Sequence, residues 1–239
     1  GLAEASARPA DFIGIHFFSP VDRMRLVEII LGKETSEHAL AVAMDYVRKI
    51  RKTPIVVNDS RGFYTSRCFG TYVVEGIYML AEGIKPALIE NAGRQTGMPR
   101  APLEMNDDVA LDLGYKVRQQ TRKDLGDAYA ESPADRIVEK MVVELERFGR
   151  KNKKGFYLYK GVKKGQKKVD ESVYGVLGIH PNKQLPKDEI AQRCALQFVN
   201  EAMLCFGEGI LRSPRDGDIG AIFGLGFPPF RGGPFRYVD

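Results

Sequence analysis

A chain of 239 residues can form one large domain or two small ones, and 44% apolar with 28% charged residues is the balance of a globular fold. No apolar run approaches the ~20 residues of a membrane-spanning helix, and Gly1 to Arg8 lack the apolar core of a signal peptide. The net charge of +5 is concentrated between Arg150 and Lys168, where nine cations, Lys164 and Lys167 among them, stand without an acid.

Alternation of Ile13, Ile15 and Phe17 predicts a half-buried strand, and Leu26 to Leu31 a second one. A helix follows from about Ser36 to Arg51, with Thr35 or Ser36 as its cap and Glu37 in its first turn. Pro54 to Val57 reads as a third strand. So small a sheet cannot bury both faces, so it is either the end of a larger α/β sheet or a remnant of one, and the remnant is the preferred reading. From Gly62 onward the pattern turns helical. Helices are expected from Arg67 to Glu82, from Pro86 to near Gly97, from about Asp107 to Tyr129, and from Ser132-Pro133 to Phe148-Gly149. Phe156 to Tyr159 is a short extended piece.

The sequence then repeats itself. Arg67 to Ile84 aligns without gaps on Arg193 to Ile210, and seven of the eighteen positions are identical. The shared residues include Arg67/Arg193, Cys68/Cys194, Glu75/Glu201 and Glu82/Glu208, and further on Gly97-Met-Pro99 meets Gly226-Phe-Pro228. This predicts a duplicated helical unit in which pairing the copies buries one apolar face of each. Arginine and glutamate recurring in both copies point to packing or ion pairing. Cys68, Cys194 and Cys205 lie inside helical patterns without metal-ligand spacing, so they are expected to be buried free thiols in a reducing compartment.

Two polar residues stand out. His16 lies in Phe12-Ile-Gly-Ile-His-Phe-Phe-Ser-Pro20 and Glu28 in Leu26-Val-Glu-Ile-Ile30. Burying an ionisable group among such residues is costly unless it has a partner. The short connection from Pro20 to Arg25 would set the strands side by side and bring imidazole against carboxylate, as a general base requires. A satisfied core pair is the other reading, and spacing alone does not separate them. His38 and His180 lie in polar surroundings without a comparable carboxylate and read as exposed. For the basic run a solvated linker face is preferred over an anionic small molecule, a partner protein or nucleic acid, since no nucleic-acid motif accompanies it.

Phe12 to Val21, Leu26 to Ile30 and Asp59-Ser-Arg-Gly-Phe-Tyr-Thr-Ser-Arg67 together resemble the L-3-hydroxyacyl-CoA dehydrogenase family. Gly149-Arg-Lys-Asn-Lys-Lys-Gly-Phe-Tyr157 and Gly224-Leu-Gly-Phe-Pro-Pro-Phe-Arg-Gly-Gly233 narrow the resemblance to the dehydrogenase part of multifunctional fatty-acid oxidation enzymes. It implies the C-terminal part of a Rossmann-type, NAD-binding sheet over 1–60, then two tandem duplicated helical domains over 61–160 and 161–239. It implies oxidation of L-3-hydroxyacyl-CoA to 3-ketoacyl-CoA with NAD, His16 as the catalytic histidine and Glu28 as its partner. The family's G-x-G-x-x-G turn does not occur in this sequence, so no cofactor-binding residue is assigned, and the chain is expected to be a fragment inactive by itself. Ser66 stands where the family's Gly-Phe-x-x-Asn-Arg signature has asparagine. It either contacts the substrate's oxygen end or caps the helix beginning at Arg67. The resemblance further implies an acyl-CoA substrate, a homodimer through the helical domains, and a thiolase subunit as a partner. It places the protein in a bacterial cytoplasm or an organelle matrix. A helical assembly module without catalysis of its own is the alternative.

Overall fold

The computed structural model describes residues 2–163 and 166–239; Gly1 and Lys164 of the basic run lie outside the described residues. Strand β1 (Gly14–Phe17) runs antiparallel to β2 (Leu26–Leu31), and β2 runs parallel to β3 (Thr53–Asn58), in the order β1-β2-β3. The parallel step needs a crossover, and α1 (Glu37–Lys49) supplies it. Ser36 caps α1, its hydroxyl accepting from the Ala39 amide at 3.1 Å. Leu40, Ala43 and Val47 of α1 pack on Val27, Ile29 and Val56. Leu26 to Ile30 are all buried, which is why β2 reads as an unbroken apolar run.

Helices α2 (Thr65–Ala81), α3 (Pro86–Gln95), α4 (Pro102–Val109), α5 (Leu111–Leu125) and α6 (Pro133–Glu139) come next. A hairpin of β4 (Tyr157–Leu158) and β5 (Lys168–Val169) precedes α7 (Glu171–Val176), α8 (Lys187–Gly207) and α9 (Pro214–Gly220). Both α6 and α9 widen into π-helical turns, Lys140–Glu144 and Ala221–Leu225. The chain divides into two compact units: residues up to Thr71 with Leu196–Asp239, and Tyr72–Ala195.

In the first unit the C-terminal segment joins the sheet. The Asn58 amide donates to the Ile210 carbonyl at 2.9 Å, and the buried Tyr64 hydroxyl to the Gly217 carbonyl at 2.8 Å. Gly220 lets α9 approach β3, since a Cβ there would lie 2.7 Å from Ile55 Cδ1. Arg67 donates through Nε to Glu201 at 2.5 Å and through Nη1 and Nη2 to Glu208 at 2.5 and 3.2 Å.

Within the second unit Arg193 does the same to Glu75 (2.6 Å) and Glu82 (2.8 and 2.7 Å). The arginines and glutamates of the repeat are therefore ion-paired, as expected. The helix expected from Asp107 to Tyr129 is instead two helices, broken at Ala110, whose φ is 79°. Asp107 lies three residues before the break. It is fully buried, and its carboxylate accepts from the Phe156 amide (2.8 Å), the Tyr157 amide (3.0 Å) and the Tyr159 hydroxyl (2.8 Å). The Leu111 amide, diverted from the helical ladder, donates to the Phe148 carbonyl at 3.3 Å. Gly149 and Gly155 make this approach possible, because a Cβ would lie 2.3 Å from the Asp107 carbonyl oxygen at one and 1.9 Å from Oδ1 at the other.

The basic run is in part the solvated face expected of it, since Lys151, Lys153, Lys160, Lys163 and Lys168 are exposed, but three of its cations are ion-paired. Arg150 pairs with Glu104 at 3.0 Å and with Asp108, Lys151 with Asp112, and Lys167 with Glu90 and, at 2.9 Å, Glu104. Glu90 and Glu104 are buried, so these cations compensate charges removed from water. Burial works to raise the Glu104 carboxyl, but Lys167, Arg94 and Arg100 hold it down at about 2. The helix expected to reach Phe148 leaves α-geometry after Glu139.

Gly155→Ala is expected to destabilise the protein by about 1–3 kcal/mol, the usual cost of overpacking, in a urea melt. Burial pushes the Asp107 carboxyl up to about 7, against the bonds from Phe156, Tyr159 and Tyr157 and the nearby Arg147. The folded state therefore keeps a proton that the unfolded chain releases near pH 4. That contribution to stability is complete at low pH and falls as pH rises toward 7, by up to about 1.4 kcal/mol per pH unit. Asp107→Asn is expected to be less stable overall but to lose this slope, measured by urea unfolding at pH 5 and 7.5.

Candidate active site

Antiparallel pairing sets His16 directly opposite Glu28. His16 Nδ1 lies 2.7 Å from Glu28 Oε2, and the carboxylate has no solvent exposure. An ionised carboxylate only accepts, so Nδ1 carries the proton in this contact and Nε2 holds the free lone pair. About a third of the His16 side chain is exposed (34%), so a small molecule can reach the ring. The ring is bounded by Phe18 at 4.8 Å and Phe63 at 5.8 Å between centroids.

The start of α2 completes the arrangement. Gly62 and Phe63 both have positive φ, 78° and 50°, and this double left-handed turn leads the chain into the helix. Phe63 is thereby laid against His16, and Thr65 reaches Glu28. The Thr65 amide donates to Oε1 at 2.9 Å and its hydroxyl to Oε2 at 2.7 Å. Three donors thus converge on one buried carboxylate, which offsets the cost of burying it.

Ser66 is the second residue of α2, exposed and adjacent to Thr65. The helix begins two residues before Arg67, so Ser66 is not its cap; that reading is corrected. Thr65, the residue that anchors Glu28, is absent from the expectations above. Its one signal was its place beside Ser66 at the start of a helix. His38 and His180 are exposed, as expected. Cys68, Cys194 and Cys205 are buried and free, and burial raises the thiols of Cys68 and of Cys194, the latter to about 12. Among the described residues no group of side chains could hold a metal ion, and no helix is long and apolar enough to cross a membrane.

Residues 1–60 match the model of the 3-hydroxyacyl-CoA dehydrogenase NAD binding domain, and residues 62–159 that of the 3-hydroxyacyl-CoA dehydrogenase C-terminal domain. The chain is 48% identical over 239 residues to fatty acid oxidation complex subunit alpha of Shewanella amazonensis, and 46% identical over 238 residues to that of Shewanella baltica. Each alignment covers 100% of this chain and 33% of the relative, so the chain spans about a third of the length of these relatives. Among solved structures, 3-hydroxybutyryl-CoA dehydrogenase from Escherichia coli K12 is similar in fold, with a TM-score of 0.76 at 17% identity, covering 95% of this chain and 63% of that one. The dehydrogenase part of multifunctional enzyme 1 from C. elegans has a TM-score of 0.66 at 28% identity, covering 95% and 51%.

Proposed function

The chain belongs to the 3-hydroxyacyl-CoA dehydrogenase family, with a Rossmann-like NAD-binding region followed by a helical C-terminal region, and from that premise we propose that His16 and Glu28 are its proton-handling pair. His16 Nε2 takes the proton of the substrate's 3-hydroxyl as C3 is oxidised to a ketone, and returns it in the reverse direction. Glu28 fixes the ring through Nδ1 and stabilises the imidazolium that forms. The observation that carries this reading is the 2.7 Å contact between a one-third-exposed imidazole and a fully buried, thrice-bonded carboxylate. NAD supplies the hydride acceptor in this family. No G-x-G-x-x-G turn, the usual cradle of the cofactor's pyrophosphate, occurs among these residues.

The substrate is an L-3-hydroxyacyl-CoA, and the parent activity that of a multifunctional fatty-acid β-oxidation enzyme. The exposed Ser66 hydroxyl, one residue beyond Thr65, is suited to bonding the thioester end. We assign residues 61–160 and 161–239 to two copies of one helical unit. Each arginine of the repeat takes its glutamates from the other copy, Arg67 those of the second and Arg193 those of the first, which supports the duplication. A dimer through the helical regions, a thiolase partner and a bacterial cytoplasmic location complete the proposal.

In the protein that carries this chain, His16→Gln is expected to lower kcat for acetoacetyl-CoA reduction by NADH about 10²–10⁴-fold, and Glu28→Gln to lower it by a smaller factor. Wild-type turnover by His16→Gln, followed at the NADH absorbance, would discard the assignment. Ser66→Ala is expected to raise KM for the acyl-CoA about 2–10-fold, the value of one neutral hydrogen bond, with kcat within about twofold.

A further inference from the structure

The contact between Glu28 and the start of α2 is more elaborate than burial of a carboxylate requires. The Thr65 amide alone would satisfy Oε1, yet the Thr65 hydroxyl also donates to Oε2, the same oxygen that His16 Nδ1 approaches. Both distances on that oxygen are 2.7 Å, and Thr65 and Glu28 have no solvent exposure. Two rigid donors fix the carboxylate's position and plane: the amide belongs to the helix backbone, and the hydroxyl to a β-branched side chain restricted at χ1. We propose that Thr65 is a positioning residue for the dehydrogenase reaction, its hydroxyl holding Glu28 in the plane that aims His16 Nε2 at the substrate hydroxyl.

A carboxylate held by one bond can rotate about its terminal torsion, which is broad for Glu. Held by two bonds from one residue, at both oxygens, it cannot rotate without breaking one of them. The imidazole on Oε2 then inherits the fixed orientation, and a displacement of about 1 Å at such a group is enough to cost on the order of 100-fold in rate. Phe18 and Phe63 limit the ring from the sides but place no polar atom on it, so the direction of Nε2 is set through Glu28. Thr65 touches neither substrate nor reacting atoms in this scheme.

This inference rests on the His16–Glu28 reading, and the experiment keeps the two apart. Thr65→Val, Thr65→Ser and His16→Gln are made in the protein that carries this chain, and steady-state acetoacetyl-CoA reduction is followed with thermal unfolding. Val preserves the buried shape and the backbone amide and removes only the hydroxyl. The expected result is a kcat about 10-fold lower in Thr65→Val with KM for the acyl-CoA within about twofold, kcat restored to within about twofold in Thr65→Ser, and His16→Gln nearly inactive. Unchanged kcat in Thr65→Val beside an inactive His16→Gln overturns the role of Thr65 alone. A raised KM with unchanged kcat also overturns it, since that marks a binding contact. A Thr65→Ser as slow as Thr65→Val overturns it too, because the hydroxyl would not be what matters. An active His16→Gln overturns the underlying reading instead.

Discussion

A carboxylate with no access to water must find donors inside the protein, and the donors of Glu28 come from two places that the chain brings together for that purpose. One is the imidazole of His16, set opposite by the antiparallel register of β1 and β2. The other is Thr65 at the opening of α2, thirty-seven residues further on. Satisfying Glu28 therefore fixes how the helix leaves the sheet. The two left-handed residues at Gly62 and Phe63 are what that exit demands, and they carry Phe63 to the histidine ring. Fold and site share one constraint here, so the pair is partly open to solvent on the histidine side and closed on the glutamate side.

The second unit solves the same problem with another carboxylate. Asp107 is buried and bonded by two successive amides and a tyrosine hydroxyl, and it ties the segment from Phe156 to Tyr159 to the end of α4. It has no imidazole beside it and is not exposed, so it organises the fold without offering chemistry. What distinguishes Glu28 is thus not burial but the partner that relays its charge toward solvent.

Much of this was legible in the sequence, and the limits have physical reasons. Strand periodicity and the apolar setting of His16 and Glu28 sufficed to expect the pair, because register in a short antiparallel connection leaves few alternatives. The repeat made the arginine–glutamate pairs foreseeable, since identical charges in two copies need a common structural use. The break at Ala110 was not legible: the Leu111 amide that follows it bonds to the distant Phe148 carbonyl, and local pattern favours one continuous helix. Part of the basic run misled for the same reason. Its own composition shows no acid, while the carboxylates that neutralise Lys167 and Arg150 lie far back in the chain at Glu90, Glu104 and Asp108. Thr65 escaped notice because its importance lies in its backbone amide as much as in its hydroxyl.

The duplication that we propose explains why only one copy holds a candidate site. Arg67 and Arg193 keep their roles, but the positions before them differ: Thr65-Ser66 in the first copy, Ala191-Gln192 in the second. Side chains are only part of the difference. Helix α2 begins at Thr65, so the Thr65 amide is one of the four that an α-helix leaves unpaired at its start and is free to hold a carboxylate. Helix α8 begins four residues earlier in register, at Lys187, which puts the Ala191 amide beyond those four and inside the helical ladder. Extending the helix by one turn removes the donor that Glu28 needs, whatever residue stands there. A site of this kind thus requires the helix to begin where the sheet delivers its acid, and among the described residues the first copy follows such a sheet.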